Sequence, residues 1–355
     1  MADLHTLNTQ VQWLCFALAF VFAYLAQAGN FCTMGAIADV VNFADWTRAR
    51  MVVTAMATAM LATSLLAAAG WVDVSKSIYL SNKLLWASHL LGGLLFGFGM
   101  VLASGCGSKT LLRIGGGSLK SLVAFLVMGL FAYMTLKGIF AVARVASLDQ
   151  WFVQLTTTQD LPHVLNLPLL PVAGGIALLM FAFVLKDTAF RHNLPALATG
   201  LGLGLVIAAV WWLSGKFAYL AEHPETLDMA FVGSSNNRPE SFSFTAPAAL
   251  LLDYLMLFSD KSKVLNISIV SCLGMLAGAA AQAVISKSFR WEGFANTEDL
   301  ANHLVGGALM GIGGVTALGC TIGQGLSGFS TLALGAVLTI IGLIVGAVLA
   351  LKYQM

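Results

Sequence analysis

The sequence predicts an all-α polytopic membrane protein, and three observations carry that expectation. Of its 355 residues, 59% are hydrophobic and only 10% are charged, whereas soluble domains carry about 25% charged residues. Apolar runs of about 20 residues, the length that spans a hydrocarbon core, recur from one end of the chain to the other. A block of sequence also appears twice. Residues 89–106 read HLLGGLLFGFGMVLASGC and residues 303–320 read HLVGGALMGIGGVTALGC, with 11 of 18 positions identical at an offset of 214 and no gap.

In chain order, transmembrane helices are predicted at 11–28, 50–70, 84–104, 119–143, 167–185, 194–213, 263–285, 300–318 and 327–351, about nine in all. The first run lacks a positive leader and an A-x-A cleavage site, so a retained helix is expected there instead of a signal peptide. Between the spans lie segments too short or too glycine-rich to cross alone: Asn30 to Phe43, Pro247 to Phe258, and the stretches after Cys106 and Cys320. Irregular backbone is tolerated at membrane depth only where protein or a water-filled cavity surrounds it. These segments are therefore expected to be re-entrant and to border a permeation path.

The offset of 214 pairs His89 with His303, Cys106 with Cys320 and Asp39 with Asp253, and it overlays the spans at 50–70 and 263–285. One membrane domain over 1–355 is expected. It comprises a first repeat at 11–143, a connecting helix at 167–185 and a second repeat at 194–352, with a polar insertion from about Lys216 to Ser243. Four spans, one connector and four spans turn the second half upside down, and inverted repeats of this kind place a binding path near the midplane. If 84–104 and 300–318 were half-helices, the repeats would be parallel. Loop charge leaves orientation open: Arg48, Arg50, Lys186 and Arg191 point one way, while Lys76, Lys83, Lys287 and Arg290 compete with them.

Several functional classes are excluded. A net charge of +2 with no basic arm offers nothing for nucleic acid. No nucleotide-binding motif is present, so the chain is not expected to hydrolyse ATP. The five cysteines, Cys15, Cys32, Cys106, Cys272 and Cys320, form no C-x-x-C pair. Neither a zinc site nor a vicinal redox pair is indicated, and no metal, cofactor or enzymatic activity is expected.

Three stretches carry the chemistry. Asn30-Phe31-Cys32-Thr33 follows the first span, Gly105-Cys106-Gly107-Ser108-Lys109 follows the third, and Gly319-Cys320-Thr321-Ile322-Gly323-Gln324 follows the eighth. In each, a cysteine opens a segment able to start a helix at depth. A helix N-terminus offers unpaired N–H groups and a positive dipole end, which together favour anions. Each terminus stabilises a charge by about 0.3–1 kcal/mol when exposed and up to ~2 when partly buried. A free cysteine has a pKa near 8.5, and its S–H is a weak, soft donor suited to a sulfur-bearing anion. Cys32, Cys106 and Cys320 are thus candidate path residues, with Gly105, Gly107, Gly319, Gly323, Asn30, Thr33, Gln324 and Lys109 beside them. The bland alternative is packing, since cysteine and glycine are common in transmembrane interfaces. That reading is taken for Cys15 and Cys272, which lie in ordinary apolar runs. His89, His303, Asp39 and Asp253 are read as helix-end or interfacial residues. Lys109 and Arg113 form either a basic entrance that attracts anions or a snorkelling pair.

At these residues the sequence resembles the YeeE/YedE family of sulfur-transport membrane proteins. The resemblance covers nearly the whole chain. It rests on Phe31-Cys32-x-x-Gly35-Ala36, on Gly105-Cys106 with Arg113 and the Gly115–Gly117 run, and on Gly319-Cys320-x-x-Gly323-x-Gly325. It implies two inverted halves in an hourglass-like transporter, thiosulfate uptake in the best-understood branch, and a path lined by Cys32, Cys106 and Cys320. Cys106 and Cys320 would flank the constriction, with Cys32 nearer the middle. The resemblance also implies residence in a bacterial inner membrane, and in some relatives a small cytoplasmic sulfur-carrier protein as partner. Two features depart from the family pattern: Lys109 stands where a small residue is expected, and the 216–243 insertion is long. Another sulfur or selenium compound is an alternative cargo, and a membrane thiol-disulfide oxidoreductase an alternative class.

Overall fold

Apolar runs in lipid must satisfy their own backbone groups and therefore become helices. The computed structural model describes residues 2–224 and 227–354; residues 225 and 226 of the polar insertion lie outside them. The helices are α1 (Ala2–Ala28), α2 (Thr33–Phe43), α3 (Thr47–Ala68), α4 (Trp86–Leu102), α5 (Gly107–Gly115), α6 (Leu119–Lys137), α7 (Ile139–Ala146), α8 (Leu161–Leu165), α9 (Leu169–Leu185), α10 (Thr188–His192), α11 (Leu194–Trp212), α12 (Ala246–Met256), α13 (Ile267–Ile285), α14 (Thr297–Thr316) and α15 (Leu334–Gln354). Strand β1 (Lys83–Leu84) pairs antiparallel with β2 (Val153–Gln154), and β3 (Tyr219–Leu220) with β4 (Ala230–Phe231). The chain is a multi-pass α-helical membrane protein.

Among the described residues, seven helical runs are long and apolar enough to cross a membrane: Leu4–Phe43, Thr47–Ala68, Trp86–Gly115, Leu119–Lys137, Leu194–Phe217, Ile267–Ile285 and Leu334–Gln354. The expectation was about nine. The two that fall short are α9, which has 17 residues, and α14, whose first turns carry Glu298, Asp299, Asn302 and His303. The predicted run at 119–143 divides at Gly138, where the backbone leaves the helical region and α7 begins. Ile139, Val142 and Val145 on α7 are exposed, an apolar stripe suited to the lipid interface.

Small residues let the helices approach closely, because lipid supplies no hydrophobic drive between them. A methyl group added at Gly97 of α4 would lie 2.2 Å from the Leu343 carbonyl oxygen of α15, and one at Gly346 of α15 only 2.1 Å from the Leu94 oxygen of α4. On the same principle α1 packs on α13, α3 on α11, α6 on α14, and α4 crosses α14 at the centre.

Contacts assign the connections to two ends of the bundle. At one end, Gln12 Nε2 donates to the Leu265 carbonyl (2.9 Å), β1 meets β2, and Leu161 N–H donates to Leu332 O (3.0 Å). Exposed Trp71, Trp86 and Trp151 lie there. At the other end, Leu119 N–H donates to Glu292 O (2.9 Å), Lys120 pairs with Glu292 (2.8 Å) and Arg50 with Asp187, and Trp46 and Trp291 are exposed. Such aromatic girdles mark the two membrane–water interfaces. Lys287 and Arg290, flanking Glu292 in this loop, share the second end with Arg48, Arg50, Lys186 and Arg191.

Candidate functional site: three cysteines after left-handed stops

Each of the three motif cysteines follows a helix that ends the same way. Asn30, Ser104 and Leu318 have φ of 51°, 54° and 59°. The next residue then donates back five positions: Phe31 N–H to Ala26 O (2.9 Å), Gly105 N–H to Met100 O (2.8 Å) and Gly319 N–H to Gly314 O (2.7 Å). This is the 6→1 bond of a Schellman stop. Asparagine tolerates the left-handed region, whereas leucine rarely adopts it, so Leu318 is held there by its surroundings. The cysteine comes one residue later in all three cases and starts the next helical segment.

At that position sulfur takes the place of a capping oxygen. Cys32 is the N-cap of α2, and its Sγ accepts from Gly35 N–H at 3.2 Å. Cys320 Sγ accepts from Gly323 N–H at 3.4 Å and from Phe244 N–H, 76 residues away in sequence, also at 3.4 Å. Ser243 Oγ stands 4.0 Å from the same sulfur. Cys106, the N-cap of α5, turns its Sγ to Ser108 Oγ at 3.3 Å instead. All three thiols are free and buried, at 7%, 1% and 0% exposure. Cys106 is the electrostatic neighbour of both Cys32 and Cys320. Cys272 neighbours Cys320 in turn, and Cys15 neighbours Cys272. Both keep the packing role expected of them, inside α13 and α1.

The glycines divide into two kinds. A Cβ at Gly323 would lie 2.5 Å from Ser243 Oγ, and one at Gly319 3.1 Å from Gln324; bare backbone there lets the Ser243–Phe244 segment reach Cys320. Gly105 and Gly107 have room for a methyl group, beside Lys109 at 3.4 Å and Met128 at 3.5 Å. Gln324 is buried. Its Nε2 donates to Ala317 O (2.6 Å), while its Oε1 has no partner, and neither has the buried Thr321 Oγ1. Asn30 is exposed and acts through its backbone. Thr33 lies with Phe31 and Thr321 on an apolar groove outside the cysteine cluster.

The charge at the site is positive. Lys109 is half-buried, with Cys32, Cys106, Arg113 and Arg48 as electrostatic neighbours. Arg113 Nη1 donates to Ser104 O (2.7 Å), tying the stop before Cys106. Arg48 pairs with Asp39 (3.3 Å) and its Nη1 lies 2.9 Å from where a Gly35 methyl would be, over the start of α2. Asp253 pairs with Lys263 (2.5 Å). His89 Nδ1 meets Thr339 Oγ1 (2.8 Å), and His303 Nδ1 meets the carbonyl oxygen (2.8 Å) and a carboxylate oxygen (3.0 Å) of Asp299. Each recurrent Asp and His thus has a protein partner.

Residues 240–245 were not anticipated. Ser241, Phe242, Ser243, Phe244 and Thr245 alternate polar and aromatic, the period of an extended segment. Phe242 and Phe244 pack on Phe22, with ring centroids 5.6 and 6.4 Å away. Ser327 Oγ donates to Phe242 O (2.7 Å), and Trp211 Nε1 to Ser330 Oγ (2.9 Å). That alternation was the available signal.

Comparison with known proteins identifies the family. The profile of the sulphur-transport family matches residues 28–349, and the chain belongs to that family. It is 28% identical over 352 residues to the thiosulfate transporter TsuA of Spirochaeta thermophila, covering 94% of this chain and 96% of that one. It is 26% identical over 318 residues to the thiosulfate transporter TsuA of Escherichia coli, covering 86% and 84% respectively. The chain is therefore a membrane transport protein for a sulfur compound.

Proposed function

We propose that this family member takes up thiosulfate across a bacterial inner membrane along a path formed by Cys32, Cys106 and Cys320. The observation that carries the reading is the common construction of the three sites. Each thiol sits one residue beyond a Schellman stop, at the start of a new helical segment, and Cys106 neighbours the other two. The names of two relatives that align over most of their length support thiosulfate as cargo.

The chemistry follows from the parts. The sulfonate end of the dianion meets the N-termini of α2 and α5 and the cations Lys109 and Arg113. The terminal sulfur meets thiols, whose weak S–H donors hold it without binding it tightly. Stepwise exchange from Cys320 to Cys106 to Cys32 suits a ligand that must also leave. Gly105, Gly107, Gly319, Gly323 and Gln324 shape the backbone around this line.

The halves are read as inverted repeats, 11–143 and 194–352, joined by α9. Packing supports this, because partners recur in pairs: α1 on α13 with α11 on α3, and α4 on α15 with α14 on α6, while α4 meets α14 antiparallel. On that reading α9 and α14 also cross, which makes nine spans in an hourglass. The end carrying Arg48, Arg50, Lys186, Arg191, Lys287 and Arg290 is assigned to the cytoplasm.

The test is uptake and growth on thiosulfate as sole sulfur source in bacteria lacking their own importers. Wild type is expected to restore both, and Cys32→Ala, Cys106→Ala and Cys320→Ala, each checked for membrane expression, to lose them. Failure of well-expressed wild type would remove thiosulfate as the cargo. Full activity in all three variants would return the cysteines to packing.

A further inference from the structure

An apolar groove of about 450 Å³ opens on the lipid-facing side between α2, α3 and α15. Val53 and Met56 of α3 and Ile340 and Ile344 of α15 form its walls, and Phe31 and Thr321, neighbours of Cys32 and Cys320, lie at its floor. The related place in the other half is filled by protein. There α12 seats directly on α6, where a Cβ at Gly129 would lie 2.6 Å from Leu252 Cδ1 and 3.1 Å from Ala248 O.

The helices α6 and α15 each follow a left-handed turn, at Gly117 and Leu332. Gly129 comes twelve residues after the first turn and Ile344 twelve after the second. Glycine admits the backbone of α12, whereas the bulkier Ile344 at the corresponding place lines the groove. An apolar lining offers water too few partners, so the groove is filled from the lipid side.

The occupant must be apolar, elongated and present at membrane depth, and the mouth of the groove gives it a polar end. Trp46, 44% exposed, lines the groove at the α2–α3 turn, two residues from Arg48, whose side chain is 42% exposed. We infer that the groove is a binding site for one acyl chain of a bilayer phospholipid whose phosphate lies at Arg48. The chain supports the outer face of α2 and so helps to hold the helix that Cys32 caps. The inference rests on the apolar lining and on the partly exposed Arg48, and it is independent of the cargo.

The experiment uses the full chain in bilayer nanodiscs containing a phospholipid with a photoactivatable group midway along one acyl chain. After illumination, adducts are mapped by mass spectrometry. They are expected to concentrate on residues 33–56 and 334–351 and to be sparse on residues 119–137 and 246–256. Val53→Trp and Ile344→Trp, which fill the groove from half-exposed positions, are expected to cut the groove adducts about tenfold, the ratio that ~1.4 kcal/mol of lost contact produces. Even labelling of the two helix pairs would overturn the inference, as would unchanged yields in folded tryptophan variants. Should neither variant reach the membrane, the wild-type distribution decides.

Discussion

Lys109 gives the sharpest test of how the path handles charge. Among the described residues no carboxylate lies within ion-pair distance of its ammonium, although the side chain is half-buried and neighbours two of the three thiols. Buried charges are ordinarily paired, so an unpaired cation at this place fits the proposed anion path. A charge-assisted hydrogen bond contributes about 1.5–3 kcal/mol. For a side chain with some access to water the lower figure applies, which corresponds to about tenfold in affinity. Replacing Lys109 by Met is therefore expected to raise the KM for thiosulfate about tenfold, while Vmax holds or rises because a looser site releases its ligand faster. Lys109→Arg, which keeps the charge, should restore KM to within about threefold, short of complete rescue because the two cations differ in shape. The assay is initial-rate uptake of radiolabelled thiosulfate into proteoliposomes at matched protein incorporation. An unchanged KM in Lys109→Met would refute the reasoning. So would an arginine variant as poor as the methionine one, since shape and not charge would then be at stake.

Two further outcomes follow from the segment that reaches Cys320. Gly323→Ala places a methyl group 2.5 Å from Ser243 Oγ and 3.0 Å from its Cβ, a clash that costs about 1–3 kcal/mol if the segment cannot relax. Uptake should fall several-fold, and the double variant with Ser243→Gly should recover most of it; a Gly323→Ala protein with normal uptake would remove Phe244 N–H from the site. Glu240 begins the same segment, and its carboxylate accepts from Ser235 N–H (3.2 Å) and Oγ (2.9 Å) and from Ser268 Oγ (3.4 Å). Burial pushes its pKa up to about 7 from an ordinary 4.5, against the pull of those hydrogen bonds. Between these two values the folded protein holds more protons than the unfolded chain, so stability is fullest below the window and declines as pH rises through it. Thermal unfolding of purified protein followed from acid to neutral pH should show that decline, and Glu240→Gln should flatten it; parallel profiles would place the carboxyl in water.

Much of this was legible in the sequence because lipid is a demanding solvent. A backbone that must satisfy itself declares its spans by apolarity alone, and the runs at 50–70, 194–213 and 263–285 became α3, α11 and α13 nearly as expected. The repeated block ending in Cys106 and Cys320 was equally plain, since eleven identities in eighteen need no structure. What stayed hidden depended on residues far apart or on backbone that carries no side-chain mark. Phe244 gives Cys320 a main-chain N–H across 76 residues, and no property of phenylalanine announces that. Leu318 turns left-handed where the usual signal would be glycine or asparagine, so the common construction of the three cysteine sites could not be read. The offset itself misled by one. It is 214 at the cysteines, yet the turns at Gly117 and Leu332 differ by 215, because the segment after Cys320 carries one more residue and a wider π-helical turn at Gly323–Gly328.

Cys320 Sγ accepts from two backbone N–H groups, Gly323 three residues on and Phe244 from a distant segment, whereas Cys106 Sγ meets a serine hydroxyl. The two thiols that recur in sequence therefore differ in chemistry. The two N–H groups occupy Cys320 as an acceptor and leave its S–H free to donate, whereas at Cys106 either the thiol or the Ser108 hydroxyl can be the donor. Cys32 lies between them in this respect, with one N–H partner and with Arg48 and Lys109 nearby. Serine at Cys106 should accordingly impair uptake more than serine at Cys320. A hydroxyl can still accept the two N–H bonds at Cys320, whereas at Cys106 no backbone N–H holds the replacement oxygen in place. Equal losses in the two serine variants would mean that saturation of the sulfur is not what distinguishes the sites.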